Sequence, residues 1–340
     1  MHKLHSKQLH SVHRFRRRIH WPVGFSFAAL LSDLSIAQTS SQTFPNRPIK
    51  IVVPFPTGGV VDLMARLIVP RMTAELGQPV LVENRPGAGA TLGAAVVAKS
   101  PPDGYNLLLG TIVTHATAPH LSKTQYDVEK DFTSIGFHGF NAAWLVVRTN
   151  LPIHDFRGFV DYVRNNPNKL NYGSPSVGSS SHLSAELLRQ RLNLSYQHIP
   201  YKGSAPALQD LVSGQLDFMF DNIGSSTSLV KAGKLRAIAV TSAGRSPSAP
   251  EIPTIAESGL EGFDVTGWAA LFAPGQTPPD IVNKLNRALN VALSESDVRQ
   301  RLADVGIVTR TGTPRDLEMF VKSEYKKWGE VIRIGSIKAD

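Results

Sequence analysis

Between Ile51 and Ile68 the hydrophobic pattern changes period across a single glycine turn, and no other stretch constrains the fold as tightly. Ile51-Val52-Val53 is a run of β-formers closed by Pro54 and Pro56. Gly58-Gly59 lets the chain turn sharply, and Leu63, Met64, Leu67 and Ile68 then recur at helical spacing. A strand feeding a helix through a tight turn is half of a βαβ unit, so the chain that continues it must build a sheet covered by helices. The same turn leaves backbone N–H groups bare at the positive end of a helix dipole. That arrangement suits an anion, and it also serves as a plain connection.

The pattern recurs down the chain. Residues 79–83 read as a strand, 84–89 as a loop, and Thr91 as the cap of an alanine-rich helix to Lys99. Residues 105–109 are a strand ending at Gly110-Thr111, with a proline-punctuated helix at 117–121. Further strands are expected at 132–137 and 143–148. The first helix, 61–76, contains Pro70, which should kink or split it. At Leu151-Pro152 the pattern restarts. Asp155 caps a helix that turns Phe156, Phe159, Val160 and Val163 to one side. Residues 173–182 then form a second glycine- and serine-rich strand-to-helix turn. Strands follow at 197–203, at 216–220 ending in Asp221, and at 235–241, and a crossover strand containing Trp268 spans 262–274. Two helices close the chain, one at 279–293 continuing to 305 and one at 314–333. Their leucine and aromatic stripes read as core.

The formal charge of +9 invites a nucleic-acid reading, but six of the 36 basic residues and only one of the 27 acids precede residue 38. Without that segment the net charge is +4 and no basic run remains, so no nucleic-acid partner is expected. The early basic cluster precedes an apolar stretch at 21–31, too short to span a bilayer, and the small residues Ser35-Ile36-Ala37. Residues 1–37 therefore read as a secretory signal peptide, and the mature protein as periplasmic. The chain has no cysteine, which removes disulfides, thiol catalysis and a lipid-anchored Cys.

Each chemical candidate has a plain counterpart. Ser174 to His182 offers hydroxyls and a histidine, but no Gly-x-Ser-x-Gly elbow is present, and a donor cradle at a helix N-terminus needs the same residues without catalysis. Gly87, Gly89 and Gly93 miss the dinucleotide spacing, and no acid stands at the ribose position. His115, His120, His138 and His154 lack metal-ligand spacing, so neither a metal nor a cofactor is expected. Asp62 and Asp221 could pair as carboxylates; the simpler reading has Asp62 steadying the glycine turn and Asp221 facing a cleft from a strand end. Lys202 is either a cation for an acidic ligand or a solvated loop lysine.

Taken in order, Pro-Phe-Pro-Thr-Gly-Gly-Val-Val-Asp62, Val-Glu-Asn-Arg-Pro-Gly-Ala-Gly89, Pro-Asp-Gly-Tyr-Asn-Leu-Leu-Leu-Gly-Thr111, Pro-Tyr-Lys-Gly-Ser-Ala-Pro206, Lys-Ala-Gly-Lys-Leu-Arg-Ala-Ile-Ala-Val-Thr241 and Leu-Phe-Ala-Pro274 resemble the Bug (Bordetella uptake gene) proteins. These are the periplasmic solute-binding components of tripartite tricarboxylate transporters. The resemblance runs from about residue 44 to the C-terminus. It implies an α/β, two-domain clamshell of the type II periplasmic binding protein kind, each domain a mostly parallel sheet flanked by helices. Domain 1 would comprise 44–146 and 266–340, and the inserted domain 2 would comprise 147–265. It further implies a monomer without enzymatic activity that delivers a small carboxylate to a membrane permease. Family loops from both domains hold a ligand carboxylate through backbone donors and waters. Here they map onto Phe55, Thr57, Gly58, Gly59 and Asp62, and onto Ser174, Ser179, Ser180, Ser181 and His182. Thr111, Tyr201 and Asp221 fall where the remaining contacts are expected. The family commonly has Pro-Pro-Gly-Gly-Gly-Thr-Asp where this chain has Thr57, Val60 and Val61, so the backbone grip is retained while the pocket shape is this chain's own. The alternatives are a serine hydrolase using the Ser-rich loop with His182, and a ligand-sensing partner of a membrane kinase.

Overall fold

The computed structural model describes residues 44–338, and the expected leader lies outside them. In chain order the elements are β1 (Ile49–Val53), α1 (Val60–Leu76), β2 (Val80–Asn84), α2 (Thr91–Ala98), β3 (Asn106–Thr111), α3 (Ala118–Leu121), β4 (Phe132–Arg148), α4 (Phe156–Asn165), β5 (Asn171–Ser174) and α5 (Ser180–Leu192). They continue with β6 (Gln197–Pro200), α6 (Ser204–Ser213), β7 (Phe218–Asn222), α7 (Ile223–Lys231), β8 (Leu235–Val240), β9 (Thr266–Pro274), α8 (Pro279–Ser294), α9 (Ser296–Ala303), β10 (Ile307–Thr309) and α10 (Pro314–Gly335). A π-helical turn, Val113–Thr117, joins β3 to α3. The α/β expectation holds.

The strands form one mixed sheet in the order β2-β1-β3-β9-β4-β7-β5-β6, with β10 and β8 also paired to β4. Pairing is parallel among β1, β2 and β3 and among β5, β6 and β7, and antiparallel around β4 and β9. The two strands expected at 132–137 and 143–148 are one 17-residue strand, β4. Its first part pairs with β9 and β10, and its last part with β7 and β8. Residues 138–142 did not read as strand because His138, Gly139 and Asn141 interrupt the apolar pattern. The structure explains Gly139: a Cβ there would lie 2.8 Å from the Ile307 side chain of β10. Strand β10 itself was not expected, because three residues carry no readable period.

The directions of these strands position the site. Thr111, the last residue of β3, pairs with Ala269 of β9, which pairs with Gly139 of β4. Asp221, near the end of β7, pairs with Trp144 of β4. Strand β3 therefore runs up β4 toward residue 144, while β7 runs down β4 toward residue 139. The C-terminal ends of the two parallel groups face one another across five residues of β4, about 17 Å of strand. In open α/β sheets such carboxyl ends are where ligands bind.

Side-chain alternation packs both faces. Ile51, Val53, Leu107 and Leu109 enter one core with Ile68 and Met72 of α1 and Leu285 and Leu289 of α8, whereas Val52 and Leu108 enter the core on the opposite face. Trp144, Val146 and Met219 pack with Leu208 and Leu211 of α6 in a third. Helix α1 is not split at Pro70. That proline is exposed while Met64, Leu67, Ile68, Met72 and Leu76 are buried on both sides of it, so the unpaired Arg66 carbonyl is left to water and packing keeps the helix whole. Thr91 is the first residue of α2, not its side-chain cap; its hydroxyl bonds the Ala88 carbonyl.

Candidate functional site

The first glycine turn is built around Asp62, in the opening turn of α1 and 2 % exposed. Its Oδ2 accepts from the Gly58 amide and from Arg66 Nε, and its Oδ1 from Asn84 Nδ2, each at 2.9 Å. Asn84 also donates to the Phe55 carbonyl at 3.1 Å, tying the end of β2 to the turn. The hydrogen bond from Arg66, aided by those from Gly58 and Asn84 and opposed by burial, holds the Asp62 carboxyl down at about 2. Asp62 is thus ionised and occupied, and it acts by fixing the turn. Gly58 has φ +84°, which a side chain would strain. Thr57, Gly58 and Gly59 are exposed and Phe55 is half-buried. The amides of Val60 and Val61 have no partner among the described residues, as expected for the first turn of a helix.

The second turn has the same logic with different anchors. Ser179 caps α5, accepting from the His182 amide at 3.3 Å and donating to the Ser176 carbonyl at 2.7 Å. His182 Nδ1 accepts from the Gly178 amide at 3.0 Å, which requires a ring unprotonated at that nitrogen. Burial pushes its pKa down to about 4, with a smaller contribution from the Arg189 charge. The ring stacks on His198 at 4.0 Å, and His198 stacks on Tyr172 at 4.7 Å. Ser180 is half-buried and Ser181 buried, and their amides have no partner among the described residues. The turn touches the other parallel group directly, since Thr117 Oγ1 donates to the Gly178 carbonyl at 3.1 Å.

Two more of the expected residues carry unpartnered polar atoms. Thr111 Oγ1 and Asp221 Oδ1 are both buried without a hydrogen-bond partner, at the facing ends of β3 and β7. Asp221 Oδ2 accepts from Ser225. Burial pushes the Asp221 carboxyl up, and the hydroxyls of Ser225, Ser226 and Ser204 pull against it. A buried orphan of this kind has an energetic cost that a ligand or water can remove. Tyr201 is committed elsewhere, donating to Asp210 Oδ2 at 2.6 Å.

Sequence reasoning missed Arg66 and Asn84. The i,i+4 spacing of Asp62 and Arg66 was a usable signal, as was Asn84 within the Val-Glu-Asn-Arg-Pro run. It also missed Asn141 and Asn222, whose side chains bond at 2.5 Å where β4 meets β7; 81 residues apart, they give no sequence signal. The hydrolase alternative finds little here. Ser174 Oγ lies 2.7 Å from His198 Nε2, but Ser174 is fully buried and also within 3.1 Å of the Ser176 carbonyl. The nitrogen of His182 that faces the turn is taken by Gly178.

The sequence profile of the tripartite tricarboxylate transporter family receptor matches residues 64–336. Among solved structures, the periplasmic binding protein BugD is 35% identical with a TM-score of 0.74, covering 87% of this chain and 100% of its own. A Rhodopseudomonas palustris protein with adipate is 36% identical (TM-score 0.77, 87% and 100% covered). MatC of Rhodopseudomonas palustris with bound malate is 40% identical (TM-score 0.73, 85% and 100% covered).

Proposed function

This chain belongs to the tripartite tricarboxylate transporter receptor family, and on that footing we propose that it captures a small carboxylate where its two parallel strand groups face each other. The free amides of Val60 and Val61, and those of Ser180 and Ser181, hold the carboxylate from opposite sides at two helix N-termini. Thr111 and Asp221 take the rest of the ligand's polar groups. Thr57 adds a hydroxyl at the rim, and Phe55, Ser174, Ser179, His182 and Tyr201 shape the surroundings. Relatives hold adipate and malate, so a small dicarboxylate or hydroxy acid is the class we assign.

The single observation that carries this reading is the pair of orphaned buried atoms, Thr111 Oγ1 and Asp221 Oδ1, at the facing ends of β3 and β7. Residues 44–146 with 266–340 act as one lobe and 147–265 as the other, closing over the ligand by hinge motion where β4 passes between them. The leader exports the protein to the periplasm, and the loaded receptor, a monomer, hands its ligand unchanged to a membrane permease. Isothermal titration with malate, adipate and citrate, and with succinamide as an uncharged control, tests the assignment. Saturable heat from at least one acid and none from the amide is expected. A folded sample that binds none of the acids sinks it.

A further inference from the structure

A pocket of about 570 Å³ opens where α2, the π-helical turn and α3 meet the second glycine turn. Leu92, Ala95, Val113, Ala118 and Leu121 supply its apolar walls from one side, and Val177 from the other. That volume lies in the range that takes small organic ligands. None of these six residues belongs to the carboxylate grip described above. Leu92 leaves half of its surface to water, so a ligand packed against it gains by covering it.

The polar edge of the pocket carries charge of one sign. Lys123 lines it, is exposed, and pairs with no acid among the described residues. Gln125, two residues on, accepts from Lys99 Nζ at 3.0 Å. A lysine only donates, so that contact fixes the amide oxygen and leaves Gln125 Nε2 as a donor without a partner among the described residues. The Thr91 hydroxyl is spent on the Ala88 carbonyl at 2.7 Å. No Asp or Glu lines the pocket. Lys123 and Gln125 are both exposed, so an anion reaches them without displacing the core.

We propose that this pocket is a second ligand site, for a monocarboxylate with an unbranched alkyl tail, its headgroup on Lys123 and Gln125 and its tail against Leu92, Leu121 and Val177. The first site offers donors and buried polar atoms from both strand groups, which suits an acid with polar groups along its length. This one offers donors at a single edge and apolar walls elsewhere, so a second charge on the ligand would be buried unpaired. Val177 precedes Gly178, whose carbonyl takes the Thr117 hydroxyl. A tail in the pocket therefore packs beside the bond that joins the two strand groups.

Octanoate is the probe, titrated into the mature protein with ¹³C-labelled leucine and valine methyl groups. Saturable shifts of the Leu92, Val113, Leu121 and Val177 methyls are expected. Octanamide, which keeps the tail and loses the charge, should bind about 2–5-fold more weakly, as for an exposed ion pair, and Lys123→Gln should close that gap. Leu92→Trp fills the pocket from an exposed position and should abolish the octanoate response, while the acid that gives heat at the first site still binds. An excess of that acid should leave the octanoate shifts unchanged. Equal affinity for octanoate and octanamide overturns the headgroup assignment. Displacement of octanoate by the acid, a response that survives Leu92→Trp, or no saturable shift at the four methyls overturns the site.

Discussion

Asp62 shows how one buried side chain can fix the geometry of a whole turn. Its carboxylate takes the donors of Gly58, Arg66 and Asn84, and so fixes which way the free amides point. Asp62→Ala leaves those donors without their acceptor, and a loss of about 2–3 kcal/mol in urea unfolding is expected, with weaker carboxylate binding. Unchanged stability would show the turn holding itself. His115, His138 and His182 make a second residue-scale prediction. Burial lowers all three, to about 3, 4 and 4, from the usual 6.5 of a free imidazole. The unfolded chain therefore takes up protons first as pH falls below about 6.5, and stability declines from there toward about 4. Asp62 extends the loss at lower pH, since its contribution disappears between 3.8 and about 2. Asp221 works the other way, because a carboxyl raised by burial is relieved on protonation. Three histidines against one carboxyl leave a net decline. Melting temperature should be level from pH 8 to 7 and fall steadily to pH 4.5; a level profile down to 4.5 contradicts the buried neutral rings.

At the scale of elements, α1 and β4 both override local sequence signals. Helix α1 carries an interior proline and stays whole because buried residues on either side of it pack against β1 and α8. Pro70→Ala restores a backbone bond on an exposed face, and a gain of about 1–2 kcal/mol in unfolding free energy is expected, less than the full cost of a helical proline because the unfolded chain also gains freedom. A destabilised variant would mean that the proline sets a bend the packing needs. Strand β4 passes Gly136 and Gly139 with two register shifts within the stretch paired to β9, before it reaches β7 and β8. Helix α5 begins at a turn whose Gly178 sits at φ +74°, with Leu121 only 2.5 Å from where a Cβ would stand.

For the molecule as a whole, the contact between Thr117 and Gly178 is the informative one, because it joins the two groups of strands beside the site. If the lobes part when empty, this bond belongs to the closed state alone. Thr117→Val keeps the volume and removes the donor, and should weaken binding of whichever acid gives heat about 3–10-fold, the equivalent of one hydrogen bond. Titration calorimetry reads it directly, and an unchanged affinity would place the bond in both states. The acid that gives heat should also raise the melting temperature in proportion to the logarithm of its concentration, as expected for a ligand that binds only the folded chain.

The sequence by itself determined the alternation of strands and helices, the two glycine turns and their helix starts, and the family. Those features are local: a period, a turn residue or a short motif is read within about a dozen positions. It also placed Thr111 and Asp221 at strand ends. Only the tertiary structure decided that those ends face each other, that Asn84 and Arg66 brace the first turn, and that Asn141 meets Asn222. Strand direction and side-chain pairing across 80 residues depend on register in the assembled sheet, and a linear pattern carries no record of that.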